Sequence, residues 1–150
     1  MLTKKELAFL KKLTEKKIPF MIVGLSAATI QGAVVSTQDV DLWFRDLSDP
    51  QIQEAIEAQG GAYIPPMPQF QNPPSFAGED FEFLDIVTHL SGLKSFDEEY
   101  QNAITEEIEG IPVKILPLER IFLSKKTAGR AKDKAALPAL EVALKIQREK

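Results

Sequence analysis

Apolar and polar residues follow two different periods along this chain, and the places where the period changes divide it into elements. Near the N-terminus Leu7, Leu10 and Leu13 recur on one side of a helix, Thr3 and Glu6 have the spacing of a capping box, and Leu2 and Leu7 that of a hydrophobic staple. Lys16 and Lys17 close this helix and Pro19 prevents its continuation. The apolar run Phe20 to Val23 is too short for a buried helix, and Gly24 stops it, which predicts a central strand feeding a tight turn. A short helix is expected from about Ser26 to Gly32, its small Ala27, Ala28 and Thr29 letting it lie close to a sheet. A second strand, Asp39 to Phe44, follows. Ser48 or Asp49 then caps a helix with Pro50 in its first turn, running through Ile52, Ala55 and Ile56 to Gly60-Gly61, and Ala62 to Ile64 reads as a short strand.

From Pro65 to Gly78 five prolines in fourteen residues argue against regular structure. A loop of that length is expected either to close over a ligand through Phe70 and Phe76 or to be pinned by those two rings. Phe81 to Leu90 has the composition of a strand with Asp85 buried in its middle. Ser95 to Asn102 reads as a short helix, and Ala103 to Leu116 as two strands around Glu109-Gly110 with Pro112 at an edge position. Pro117 opens a helix carrying Leu118, Ile121, Phe122 and Lys125. Leu137-Pro138 breaks the pattern, so a final helix is expected from Pro138 to about Gln147. Together these elements predict one small α/β domain of the α+β type: a mixed, mostly antiparallel sheet of about five strands with helices on one side (core 1–116), followed by a C-terminal helical extension (117–150).

The 150 residues are 44% apolar and 27% charged, enough for one domain to bury its own core. The absence of cysteine excludes disulfides, thiolate metal sites and cysteine nucleophiles. No apolar run approaches a membrane span and the N-terminus lacks a signal-peptide core, so a cytoplasmic location without membrane association is expected. Residues 1–113 hold 8 basic and 18 acidic groups, whereas 114–150 hold 10 basic and 4 acidic. An acidic body argues against broad duplex DNA binding, while the basic C-terminal region suits a triphosphate or one face of an RNA. Lys145, Arg148 and Lys150 are expected simply to favour the helix C-terminus. Neither a P-loop nor a GxGxxG motif is present, which argues against the common ATPase and dinucleotide-binding classes.

The chemistry points to Asp39 and Asp41. With a side-chain period of two, both face the same way, about 7 Å apart along the strand, while Val40 and Leu42 face the other. Like charges that close call for a cation between them, and the free N–H groups of the short helix after Gly24 favour an anion such as a phosphate. A hard divalent metal with oxygen ligands satisfies both conditions. Asp85, between Leu84 and Ile86, needs a cation or must be neutral if it is buried. Glu79, Asp80 and Glu82 fall nearer the loop and read as surface residues, and His89, the one histidine, as a structural hydrogen-bonder.

An apolar strand, Val23-Gly24, a short helix, and then Asp39-Val40-Asp41-Leu42 resembles the DNA polymerase β-like nucleotidyltransferase superfamily. More narrowly, VGLSAATIQG, STQDVDLWF and VKILPLERIFLSKKTAGRAKD resemble the minimal nucleotidyltransferases and AbiEii-like proteins of toxin-antitoxin and abortive-infection systems. The resemblance implies transfer of a nucleotidyl group from an NTP to a hydroxyl, with two Mg²⁺ ions held by Asp39, Asp41 and Asp85 and with Asp85 as base. It implies nucleotide contacts from Gly24 and Ser26, and from Lys125 and Arg130 beside the phosphates, with Asp133 orienting them and Lys126 as a rival to Lys125. The acceptor it leaves open: a partner protein, a tRNA 3′ end, or a small molecule such as an aminoglycoside. Leu25 stands where the family usually has a second Gly or Ser, and Val35 where many relatives carry Arg. These two departures motivate an alternative, a catalytically degenerate fold serving as a binding or antitoxin-like module.

Overall fold

The computed structural model describes residues 2–150. Helix α1 (Lys4–Glu15) begins at the capping box expected of Thr3 and Glu6. Strand β1 (Phe20–Val23), buried throughout, leads into α2 (Gly24–Ile30). Strand β2 (Val40–Phe44) and helix α3 (Pro50–Glu57) follow, the latter capped by Asp49. Strands β3 (Ala62–Ile64), β4 (Ser75–Ala77) and β5 (Leu84–Ile86) precede α4 (Phe96–Gln101). The hairpin β6 (Ile104–Ile108) and β7 (Ile111–Ile115) turns through Glu109 and Gly110, both at positive φ, as a two-residue hairpin turn requires. Helices α5 (Leu118–Ala128) and α6 (Ala131–Arg148) complete the chain.

Five strands form one sheet in the order β5-β2-β1-β7-β6, and β3 and β4 form a separate pair. The β1–β2 and β6–β7 pairs are antiparallel, but β1–β7 and β2–β5 are parallel, so the sheet is evenly mixed and not mostly antiparallel. The two parallel neighbours exist because β5 and β7 each return to the sheet after a long connection. The face of β2 that carries Phe44 packs against Phe76 and, through it, Phe9 of α1. Trp43, on the opposite face, meets Phe96 of α4 edge to face at 5.3 Å. Helices therefore reach both faces. No helix among the described residues is long and apolar enough to cross a membrane.

Four local expectations need correction. The proline-rich stretch contains β4, whose central Phe76 is buried among Phe9, Phe44 and Tyr63. Pro73 and Pro74 precede that short strand but do not enter it, so pairing with β3 survives. Phe76 is thus a core residue on the side of β2 facing away from Asp41, while Phe70 stands 70% exposed. The predicted strand Phe81–Leu90 shrinks to Leu84–Ile86, since Phe81 turns into the core before pairing begins. Pro112 lies in β7, an interior strand, in the part that runs past the pairing with β1 at Ile22 and Ile115, where no ladder N–H is needed on that side. Finally, Pro138 does not start the last helix but sits inside α6. An interior proline costs about 3 kcal/mol, which the buried Ala136, Leu140, Ala143 and Leu144 of α6 offset by packing.

Glu6 ties α1 to the sheet. Its side chain is fully buried, with Oε1 accepting the Thr3 N–H at 2.8 Å and Oε2 the Phe83 N–H at 3.0 Å. The cap of the first helix thereby anchors the segment that delivers β5. Glu6→Ala should lower unfolding free energy by about 2–3 kcal/mol, as loss of two charge-assisted bonds in a dry site requires. Urea denaturation with the exposed Glu15→Ala as reference, expected to change it by less than about 0.5 kcal/mol, checks this.

Candidate active site

The site forms where β1 ends. Gly24 takes φ of +65° at the strand–helix turn, and a β-carbon there would collide with the carboxylate of Asp41. The positive φ calls for glycine, and a β-carbon would also displace the Asp41 carboxylate. Ser26, buried in α2, donates its hydroxyl to the Val23 carbonyl at 2.8 Å and accepts the Asp41 N–H at 3.1 Å. Val23 is also the ladder partner of Asp41. Ser26 is thus a clip that fixes Asp41 against the turn. Its hydroxyl is occupied by the protein itself, so any nucleotide contact here falls to the backbone.

Asp41 and Asp85 are register partners on the parallel strands β2 and β5, which places their backbones about 4.8 Å apart. Asp39 lies one residue ahead of β2, still held by the 2.7 Å bond from Val40 N–H to the Phe83 carbonyl. The three predicted aspartates therefore lie on neighbouring backbone at one end of the sheet. One expectation fails: Asp85 is exposed, not buried, since it lies on β5, the edge strand of the sheet. The Asp41 carboxyl is pushed up to about 6, chiefly by burial and then by the charge of Asp85, with Asp39 adding to the rise, while Lys125 and Lys132 oppose it. Asp85 is also raised, by partial burial and by the charge and hydrogen bonding of Asp39.

Lys125 of α5 and Arg130 at the start of α6 converge on Asp133. Arg130 donates from Nε to the Asp133 carboxylate at 2.7 Å and Lys125 Nζ lies 3.4 Å from it. Asp133 is 1% exposed, and its carboxyl is held below the usual range, first by the Arg130 bond. One buried anion thus holds two cations, of which Lys125 also acts on Asp41. Lys126 turns elsewhere, over the Phe122 ring. A cleft of about 280 Å³ adjoins the cations, lined by His89, Ser91, Ser124, Lys125, Arg130 and Asp133. Lys132 was not anticipated. It acts on Asp41 only because α6 begins at Ala131, and the three-residue spacing of Arg130 and Asp133, a capping arrangement with the Asp133 carboxylate accepting the Arg130 N–H at 3.2 Å, was the signal for that start.

Three neighbouring carboxylates, two of them with raised proton affinity, are the donor chemistry of a hard divalent cation. Among the described residues no three acidic or histidine side chains already converge within metal-ligand reach. Asp39 and Asp85 are exposed, so their side chains are the ones free to turn inward toward an ion beside Asp41.

The fold has known counterparts. The chain superimposes on the crystal structure of ANT(2'')-Ia in complex with adenylyl-2''-tobramycin with a TM-score of 0.61, at 18% identity over 95% of this chain and 88% of that one. The solution structure of the same antibiotic-resistance factor gives a TM-score of 0.62, at 18% identity over 93% of this chain and 82% of that one. An antigenic nucleotidyltransferase-like protein from Paracoccidioides brasiliensis gives 0.54, at 16% identity over 97% of this chain and 78% of that one. The chain has a nucleotidyltransferase fold. No protein-family model and no curated protein matches the sequence.

Because Asp41 is raised from 3.8 to about 6, its ionisation opposes folding at neutral pH, and the penalty is absent below pH 4. A rise of that size, discounted for the partial exposure of the carboxyl, is worth about 1–2 kcal/mol. Asp41→Asn should accordingly stabilise the protein by about that amount at pH 8 and by nothing at pH 4, with the change falling between pH 4 and 6 in thermal melts.

Proposed function

We propose that this protein transfers a nucleotidyl group from an NTP to a hydroxyl of an acceptor. The observation that carries the proposal is the register pairing of Asp41 with Asp85, beside Asp39 and facing Lys125, at the end of β1. Asp39 and Asp41 would hold Mg²⁺, with Asp85 completing the donor set. Two bound ions would supply charge neutralisation of the triphosphate and of the developing oxyanions. The chain's own residues do the rest. Gly24 leaves the turn clear of side chain, so backbone can approach a phosphate. Lys125 and Arg130, fixed by Asp133, face the triphosphate as it enters. Asp85, whose raised proton affinity suits a base, takes the proton of the acceptor hydroxyl. That oxygen attacks the α-phosphorus, the bond from this phosphorus to the bridging oxygen breaks, and pyrophosphate leaves.

The similarity of VGLSAATIQG and STQDVDLWF to AbiEii-like proteins supports a setting in a toxin-antitoxin or abortive-infection system in the cytoplasm. The acceptor is then a partner protein or a tRNA 3′ end. ANT(2'')-Ia, whose complex contains adenylyl-2''-tobramycin, keeps a small-molecule acceptor in view. Leu25 and Val35, standing where the resembled family usually carries Gly or Ser and Arg, motivate a second reading, a fold retained for binding alone.

Incubation with labelled ATP, GTP, CTP and UTP in host lysate should place Mg²⁺-dependent label in protein, RNA or a small molecule, and each fraction selects one acceptor class. Asp41→Ala should reduce labelling by at least about 100-fold, the usual scale for losing transition-state charge stabilisation. Equal labelling by both proteins removes this site from consideration. No label, together with no NTP or Mg²⁺ binding by calorimetry, assigns the protein to the binding class.

A further inference from the structure

Two buried serines stand near the carboxylate site, and the protein uses the hydroxyl of only one of them. Ser26, in the turn after Gly24, is bonded on both sides, to the Val23 carbonyl and the Asp41 N–H. Ser124, just before Lys125 on α5, is 7% exposed, yet it forms no hydrogen bond among the described residues. Its neighbours on the helix are engaged, Arg120 with Glu99 and Thr127 with the Leu123 carbonyl. Among the described residues no side-chain polar atom sealed from solvent lacks a partner, so the Ser124 oxygen is reached through the cleft that it lines with Lys125 and Arg130. A hydroxyl nine-tenths buried and unpartnered costs stability unless a ligand or water takes it up.

The other wall of this cleft is the segment after β5, with His89 and Ser91. Gly92 seats that segment directly on α5: it takes φ of +76°, and a β-carbon there would lie 2.6 Å from the Thr127 hydroxyl, one turn beyond Ser124. Backbone packing therefore sets the separation of the two walls. Two cations against one anion, with a hydroxyl on each wall, select an oxyanion. The volume of about 280 Å³ falls below the roughly 300–1,000 Å³ that encloses a whole drug-sized ligand, so the cleft takes part of a nucleotide. Lys125 lines the cleft and also acts on Asp41, so the cleft and the carboxylate site share one ammonium. A nucleotide with its α-phosphate at the carboxylates has its remaining phosphates within reach of the cleft. Asp41, Asp39 and Asp85 would oppose a bare anion here, and the ions carried by a metal-bound triphosphate remove that opposition.

We propose that this cleft receives the β- and γ-phosphates of the NTP and that Ser124 is a further substrate-binding residue, donating its hydroxyl to a non-bridging oxygen of that diphosphate. The inference rests on the reading of the site as one that binds an NTP. It adds the part of the substrate that the cleft holds, and a hydroxyl donor that Ser26, taken up by the protein itself, does not supply. Pyrophosphate leaving after transfer departs from the same cleft.

The test uses the full chain in Mg²⁺, with ATP, pyrophosphate, AMP and adenosine as probes, calorimetry for affinity and NMR of isotope-labelled protein for location. Pyrophosphate should shift the amides of residues 89–92 and 124–130, and adenosine should leave them in place. Ser124→Ala should weaken ATP and pyrophosphate at least about 10-fold, the scale of a lost hydrogen bond to a charged group. AMP, which lacks those phosphates, should bind wild type and variant alike. The urea midpoint should not fall, because the serine gives up no bond and alanine favours the helix. Wild-type ATP affinity in Ser124→Ala overturns the proposal while leaving nucleotidyl transfer, read by label incorporation, in place. Equal losses for ATP and AMP also overturn it, since a merely structural effect does not depend on the number of phosphates. So do pyrophosphate shifts confined to the carboxylate strands. Absence of both ATP and pyrophosphate binding at about 5 mM overturns it together with the NTP reading. A Ser124→Ala loss of pyrophosphate affinity in a protein that labels no acceptor supports the cleft assignment and counts only against transfer.

Discussion

Burial of the Asp41 carboxylate at the end of β1, beside the like charges of Asp85 and Asp39, is the constraint around which this molecule is built. Asp41 is fixed from three directions, by the Val23 ladder, by the Ser26 hydroxyl and by the register with Asp85, and none of these lets it retreat from Asp85. A carboxylate in that position costs stability at neutral pH, and the fold bears the cost instead of relaxing it. What limits the cost is the second charge system on the C-terminal helices. Asp133, buried and paired, keeps Lys125 and Arg130 close to the acidic strands, and only Lys125 and Lys132 counter the rise at Asp41. An acidic cluster facing a cationic rim with its own private anion is the arrangement that the proposed transfer from a metal-bound triphosphate requires.

The remaining architecture serves this geometry through a few long-range bonds. Gln31 at the end of α2 donates to the Leu116 carbonyl at 2.8 Å and accepts the Leu118 N–H at 3.1 Å, so the helix after Gly24 and the start of α5 are one unit. Glu99 of α4 does the same on the far side, accepting from Arg120 of α5 and from the Lys94 N–H. Lys125 is thereby positioned from two directions, by α2 and by α4, before Asp133 fixes its ammonium.

Much of this was legible in the sequence because it is local. Capping at Thr3–Glu6 and Asp49, the Glu109-Gly110 hairpin and the glycine stop at Gly24 are set by residues within a few positions of each other. The neighbourhood of the three aspartates was legible for a different reason: a period of two puts Asp39 and Asp41 on one side of the chain, and the apolar neighbours of Asp85 mark a second strand. What the pattern concealed was tertiary. Phe76 sits among prolines yet packs into the core, because three other aromatic side chains surround it. Pro138 looks like a helix start, but the apolar face of α6 continues through it and the Arg130–Asp133 cap lies earlier. Asp85 was expected to be buried from its neighbours Leu84 and Ile86. Burial depended on whether β5 is interior or an edge, which periodicity does not reveal.

Likeness to ANT(2'')-Ia and to the Paracoccidioides protein at 18% and 16% identity establishes the backbone arrangement, and the chemistry rests on the side chains described above. The most direct measurement is therefore of the proposed cation site: titration of isotope-labelled protein with Mn²⁺ at about pH 7.5, recording paramagnetic broadening residue by residue. Broadening confined at low occupancy to Asp39, Asp41, Asp85 and the adjoining Gly24–Ser26 turn, and absent from Asp41→Asn, is the predicted result. Uniform or distant broadening, or an Asp41→Asn protein that broadens as the wild type does, would contradict a cation-dependent nucleotidyltransferase site at these carboxylates.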